Sequence, residues 1–415
     1  MAYIIIIEPQ ILHQAGMGLH QSFWAVVLIT AFSSILCGLV SNLPFGFAPG
    51  LGLLSFFAYV VVAKMGLPYS AGLAAVFIAG LLFFLITLTR IRSLILEAIP
   101  KSLGCAIAAG IGFFIGLIAL RNTGLIVSSP VTLVQLGSIT QPSVLLFFLG
   151  FLIIAILDKK NIPGAILVGI LLVTLLGWVF KISPFYGVTS FELPNIHQMG
   201  HFDFHAIANK HAWPLIFTFL MVALFDSTGT MLGLSHKMDL KNTAKNSDSS
   251  NLSRDSNSGQ NFKKINMALM GESIASMVSS VLGASTIAAF VESASGIRAG
   301  GKTGLVGVTV GVLFLFTLLF APLAESIPSY ATACGLFYVS CQMFRPFALV
   351  LWDEVSEFIP AVITLVMIPL TFSIADGVGL GLICYLILKI AGGEISKIHP
   401  VLWVLTLVFI IYFAV

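Results

Sequence analysis

Apolar runs close to the length that crosses a lipid bilayer recur along this chain from end to end, and they leave few folds open to it. WAVVLITAFSSILCGLV at 24–40 and GLVGVTVGVLFLFTLLF at 304–320 are two of them. A helix needs about 20 such residues to traverse a hydrocarbon core about 30 Å thick. Only helices and closed barrels keep their backbone hydrogen bonds satisfied there. These runs are continuous and do not alternate with period two, which selects helices over an outer-membrane barrel. Charge points the same way: 9% of the residues are charged and 58% hydrophobic, whereas globular domains carry about 25% charged residues. A water-facing surface cannot be made from that inventory. The expectation is an all-α polytopic membrane protein.

Candidate spans fall at 1–12, 22–41, 47–64, 70–89, 103–121, 143–157 and 164–180. A second set falls at 212–234, 266–283, 287–297, 303–322, 331–346, 357–374 and 375–391, with a further apolar segment, HPVLWVLTLVFIIYFAV, at 399–415. About 14 spans result, in two sets of seven. If the chain starts in the cytoplasm and crosses at each span, 16 of its 20 Lys and Arg fall inside, and Lys64, Arg121, Lys181 and Lys210 fall outside. That bias is the signature of an inner (plasma) membrane protein with a cytoplasmic N-terminus. MAYIIIIEPQIL has no basic region and no cleavage site, so it is not a signal peptide. As a helix it covers about 18 Å, short of a full crossing. The first span is therefore expected to half-insert or to lack its natural beginning.

The five cysteines all lie in apolar runs and read as small buried hydrophobes, with no pairing pattern. His197, His201 and His205 are spaced four apart, which on a helix would place them on one face. No cysteine accompanies them and Gly200 interrupts the run, so no metal is expected. No cofactor is expected either, nor nucleic acid as a partner. The polar stretch at 236–264, rich in Ser, Asn, Asp and Lys, reads as a flexible cytoplasmic loop.

A weak repeat relates the halves. SNLPFGFAPGLGLLSFFAY (41–59) is broken by Pro44, Gly46, Pro49, Gly50 and Gly52, and STIAAFVESASGIRAGG (285–301) is interrupted at the matching third place of its half. EAIPKSLGCAIAAGIGFFIGL (97–117) and ESIPSYATACGLFYVSCQMF (325–344) open the fifth and twelfth spans alike. Seven is odd, so the repeats are expected to be inverted: 1–185, then an external connection at 186–211, then 212–392, and a C-terminal segment at 393–415. Interrupted segments at matching positions of inverted halves mark the binding site of many transporters. Extended backbone is expected at PFGFAPG, with the helix resuming near Leu51, and at STIAAFV, with a helix from Glu292 or Ser293.

Acids inside predicted spans are Glu8, Asp226, Glu272 and Glu292. A charge at the bilayer centre costs at least about 2.5–3.5 kcal/mol, so each is a functional candidate. Asp226 and Glu292 could accept hydrogen bonds from ring N–H groups, or hold a coupling proton. Phe290 shares a side with Glu292 if the chain there is extended, and offers a face for a planar ring. Glu272, near the cytoplasmic end of its span, reads equally well as a structural residue at a helix start. Glu8 stands in the first half where Asp226 stands in the second, as a third candidate for proton coupling.

FDSTGT (225–230), VESASGIRAGGKTGL (291–305), APGLGLLSFFAY (48–59) and AIPKSLGCAIAAGIGFF (98–114) resemble motifs of the AzgA-type purine permeases, in the nucleobase–cation symporter family. The resemblance runs in order over essentially the whole chain. It implies a uracil-permease-like fold with a core of spans 1–4 and 8–11 and a gate of spans 5–7 and 12–14. It implies proton-coupled import of a purine such as adenine, guanine or hypoxanthine, with the proton and a homodimer partner among its associations. By the same resemblance Asp226 and Glu292 are the acids that hold the base, and Phe290 replaces the tyrosine common at its place. Thr230 faces the site, and Ala48, Pro49 and Gly50 form the span-three turn. Two departures stand out: Leu54 replaces the asparagine of GLNAFF, and Glu8-Pro9 replaces Asn-Pro.

An anion transporter of the same fold, for sulfate or bicarbonate, is the first rival, though two acids at the site would repel an anion. A degenerate, non-transporting copy is the second, raised by the short first span. An intramembrane enzyme finds no support: the spans carry no HExxH, no partnered GxS and no phosphate-cradling loop.

Overall fold

The computed structural model describes residues 1–89, 100–162, 164–189, 200–207, 213, 215–224, 226–227, 230–231, 234, 254–395 and 398–414. Helices dominate it, as the apolar runs require. In chain order they are α1 (Ile4–Gln14), α2 (Leu19–Ser41), α3 (Leu51–Lys64), α4 (Tyr69–Leu88), α5 (Lys101–Asn122), α6 (Pro142–Lys159), α7 (Ala165–Val179) and α8 (Leu215–Leu224). Then come α9 (Arg254–Leu282), α10 (Ser293–Ala299), α11 (Leu305–Phe316), α12 (Ser329–Met343), α13 (Val355–Thr371), α14 (Ile374–Ala391) and α15 (Pro400–Ala414). Four short strands interrupt them: β1 (Phe47–Pro49), β2 (Ile126–Ser129), β3 (Leu133–Leu136) and β4 (Ile287–Ala289). Among the described residues, seven helices are long and apolar enough to cross a membrane, and five shorter ones are also apolar. The polar stretch read as a loop up to residue 264 is helical from Arg254 onward, as the first turns of α9.

The chain divides into two compact units, one of Met1, 11–92 and 191–319, the other of 2–10, 93–190 and 320–415. Unit one is built around α2. Ala31, Ser34 and Gly38 form a small-residue stripe on α2, and Gly304, Gly307 and Gly311 form another that leads into and along α11. Small residues at this spacing let two backbones approach closely in a bilayer. The approach is tight: a Cβ on Gly307 would stand 2.7 Å from the Ser34 carbonyl and 2.8 Å from that of Phe45. α2 ends at Asn42, which takes the left-handed conformation with φ 51° and donates its N–H to Gly38 O at 3.0 Å. The Asn42 side chain then accepts the Gly304 N–H at 2.9 Å, tying the end of α2 to the start of α11. α9 meets α2 at Gly271 and Cys37, and meets α4 at Met277 and Gly80. Tyr69, at the start of α4, donates to the Gly283 carbonyl just past α9 at 2.5 Å.

In unit two α5 receives α13 and α12 against its glycines, with Ile368 over Gly110 and Ser340 over Gly116. α13 and α14 form a hairpin that turns at Phe372, with φ 53°. At the open end of that hairpin the buried Lys389 ammonium lies 2.7 Å from Glu394, 3.8 Å from Glu354 and 4.0 Å from Glu357. α15 lies antiparallel along α14: Tyr412 donates to Asp376 at 2.6 Å, and Phe409 packs over Gly379. Gln10 joins this unit by donating to Ile327 O at 2.6 Å and accepting from Thr332 at 2.5 Å. Between α5 and α6, β2 and β3 form an antiparallel hairpin that the sequence reading did not foresee. The β-branched run IVSSPVTLVQL, with Pro130 at its turn, carries the signal for it.

Candidate functional site

Two interrupted segments meet inside unit one. Pro44 and Pro49 lack the N–H that a continuing helix needs, and Pro49 biases Ala48 toward extended backbone. The chain therefore runs extended from Phe47 to Pro49 before α3 begins at Leu51. In the second half Ile287–Ala289 is extended, and α10 begins at Ser293. β1 and β4 pair antiparallel, with Phe47 opposite Ala289, Ala48 opposite Ala288 and Pro49 opposite Ile287. The ladder reaches one residue further at each end, where Gly50 N–H donates to Thr286 O at 2.9 Å and Phe290 N–H to Gly46 O at 3.0 Å.

Several other backbone groups of this crossing are satisfied by serines on the neighbouring helices. Ser34 donates to Phe47 O at 2.8 Å and accepts the Phe47 N–H at 3.0 Å, and Ser33 also donates to Phe47 O at 3.1 Å. Ser276 accepts the Ile287 N–H and Ser293 the Gly46 N–H, each at 3.0 Å. Ser279 donates to Ser285 O at 2.5 Å. Unpaired backbone polar groups are not tolerated in hydrocarbon, which accounts for the serines on helices that are otherwise apolar.

Residues directly opposite in an antiparallel ladder point to the same face, and the faces alternate along each strand. Gly46, Ala48 and Gly50 therefore share one face with Phe290, Ala288 and Thr286. Pro49 and Ile287 point to the other. Asp226 lies on the first face: a Cβ added at Gly50 would stand 3.3 Å from Ala288 Cβ and 3.7 Å from Asp226 Oδ2. At the other end Met1 packs its sulfur on Gly46, and its amino group lies within electrostatic reach of Glu292. Phe290 is buried, and Glu292 is half-buried at the start of α10 without capping that helix by its side chain.

The structure thus brings Ala48, Gly50, Asp226 and Phe290 to one face, with Glu292 beyond Phe290. Thr230 is half-buried one helical turn past Asp226. Leu54 is fully buried on α3, its N–H donated to Gly50 O at 2.8 Å. Glu8 belongs to unit two. It is fully buried, and neither carboxyl oxygen has a hydrogen-bond partner among the described residues. Among the described residues no three His, Cys, Asp or Glu cluster as metal ligands; His201 and His205 are exposed, and His197 lies outside the described residues.

Glu272 is not at a helix start. α9 begins at Arg254, so Glu272 sits deep in the helix, midway along its apolar part Lys263–Leu282. It is fully buried and accepts a hydrogen bond from Ser227, the residue after Asp226. A buried acid–hydroxyl pair therefore adjoins Asp226, which the sequence reading had left undecided.

A family model described as the permease family, of xanthine/uracil type, matches residues 1–380. The chain belongs to this family. The permease is 41% identical over 411 residues to the adenine permease AdeP of Escherichia coli (strain K12), covering 99% of this chain and 89% of that protein. It is 34% identical over 425 residues to the guanine/hypoxanthine permease PbuG of Bacillus subtilis (strain 168), covering 100% and 93%. Among solved structures it is similar to the transmembrane domain of a cyanobacterium bicarbonate transporter, BicA, with TM-score 0.63 and 17% identity over 91% of this chain and 94% of that one. The inward-facing murine anion transporter Slc26a9 matches at TM-score 0.58 and 11% identity, over 94% of this chain and 67% of that one. At such identities the likeness speaks to fold alone. The permease is an integral membrane transport protein and not an enzyme.

Proposed function

We propose that this permease imports a purine nucleobase together with a proton, by alternating access, with unit one as the body that carries the base. The observation behind this reading is the β1–β4 crossing, where a carboxylate and an aromatic ring share one face of paired backbone. The chain's similarity to adenine and guanine/hypoxanthine permeases supports the choice of substrate. In this reading Asp226 and Glu292 accept ring and amino N–H bonds, and Phe290 stacks on the ring. Ala48 and Gly50 keep the face low enough for the base to approach the backbone, while Pro49 and Leu54 hold the turn and Thr230 borders it. Leu54 brings no amide where the resembled motif GLNAFF has asparagine, so the choice among purines is expected to differ from that of permeases carrying that motif. Asp226, Glu292 and the buried Glu8 are the candidates for the coupled proton. The bias of Lys and Arg toward one side supports an inner-membrane protein with its N-terminus in the cytoplasm.

The fold also carries bicarbonate and other anions in its structural neighbours. Acids beside this buried face of the crossing favour a neutral base with N–H donors over an anion.

The test is uptake in a host lacking its own purine permeases, with labelled adenine and hypoxanthine set against labelled sulfate and bicarbonate. Purine uptake is expected. Asp226→Asn and Glu292→Gln should each lower it at least about tenfold at unchanged membrane level, the scale of a lost hydrogen bond to a charged group. Sulfate or bicarbonate uptake without purine uptake would overturn the function, and full purine uptake by both variants would overturn the site.

A further inference from the structure

We propose that Thr286 is a substrate-contacting residue of this permease, its hydroxyl hydrogen-bonding the polar edge of the base beside the group held by Asp226. The proposal rests on the nucleobase reading above and adds to it a residue that no motif singled out.

The serines around the crossing have structural work. Ser33, Ser34, Ser276, Ser279 and Ser293 are each hydrogen-bonded to the backbone of the interrupted segments. Thr286 differs. Its carbonyl accepts the Gly50 N–H, but its hydroxyl, in a residue 1% exposed, has no hydrogen-bond partner among the described residues. A buried hydroxyl left unpaired is costly, and such groups in native proteins call for an occupant or a role.

Position supplies that role. Thr286 shares its ladder face with Ala288 and Phe290, and the residue opposite it is Gly50, which has no side chain to cover it. The Asp226 carboxylate stands on this same face at Gly50. Thr30, Ser55 and Ser285 also carry buried hydroxyls without partners among the described residues. By alternation Ser285 falls on the opposite face, and Thr30 and Ser55 are not part of the ladder.

The chemistry of the two groups is complementary. A carboxylate only accepts, so Asp226 suits ring or amino N–H groups. A hydroxyl donates and accepts, so Thr286 can meet either a keto oxygen or an exocyclic amine at the neighbouring position of the base. This pairing admits both 6-oxo and 6-amino purines and rewards a polar substituent over none.

The experiment is competition against labelled substrate uptake by unlabelled adenine, hypoxanthine, guanine and unsubstituted purine, in wild type, Thr286→Val and Thr286→Ser, with membrane levels measured alongside. Thr286→Val should weaken at least one substituted base by about tenfold while unsubstituted purine competes as in wild type, and Thr286→Ser should restore the preference to within about threefold. Unchanged inhibition constants in Thr286→Val, or the same loss for every competitor including unsubstituted purine, would overturn the proposal. Thr286→Ala gives the same comparison should the valine variant fail to reach the membrane. A wild-type protein that carries none of these bases overturns the nucleobase reading itself, a result distinct from a transporting wild type with an indifferent Thr286.

Discussion

Ser227 donates to Glu272 in a fully buried pair one residue from Asp226. Removing the hydroxyl leaves a buried carboxyl short of a donor, which costs about 1–3 kcal/mol. Ser227→Ala is therefore expected to lower the melting temperature in detergent by several degrees, and Ser227→Thr to recover most of it; no change in melting would show that the pair adds nothing. Residues of this kind differ in how visible they are from sequence. Asp226 and Glu292 stand out because a carboxylate in an apolar run is expensive and seldom kept without use. Thr286 is hidden in GASTIAAF, since a hydroxyl costs little in a helix and gains meaning only from the strand that carries it. Glu272 was visible as an acid, but its depth was not, because the start of α9 lies inside a polar stretch that reads as loop.

At the scale of elements, the first interruption could be read from its Pro and Gly and the second from its matching place in the repeat, and the helices restart at Leu51 and Ser293 as expected. Their pairing could not. Register between segments more than 200 residues apart is set by the helices that bring them together, and no local pattern encodes it. The glycine spacing of α11 is a middle case: Gly304, Gly307 and Gly311 announce a close neighbour without saying which helix it is. The structure names α2. Gly307→Ala places a methyl 2.7 Å from one carbonyl oxygen and 2.8 Å from another, so α11 has to move outward. A loss of about 1–3 kcal/mol is expected from such overpacking, read as reduced thermal stability of the purified protein, with a larger loss for Gly307→Leu. Equal stability of the alanine variant would mean that the two helices are free to separate.

At the scale of the molecule, an acid-bearing crossing satisfied by its own serines carries the functional reading, and proton coupling is the part of that reading with the broadest consequence. In sealed vesicles holding the purified permease, an acidic exterior should drive purine accumulation against its gradient, and a protonophore should abolish it. A sodium gradient alone should do nothing; accumulation driven by sodium at equal pH would replace the proton. The same crossing also bears on how the protein is made. Pro49 and Ile287 face each other across the ladder but are separated by 238 residues of chain (287 − 49). At about 5–20 residues per second a ribosome needs roughly 12–50 s to make that intervening length. For that time the first broken span is without its β4 partner, and the two backbone groups that end up bonded across the ladder at Gly46 and Gly50 have to be met by water, by the insertion machinery or by a holding chaperone. Biogenesis of this permease is thus a wait for its own second half.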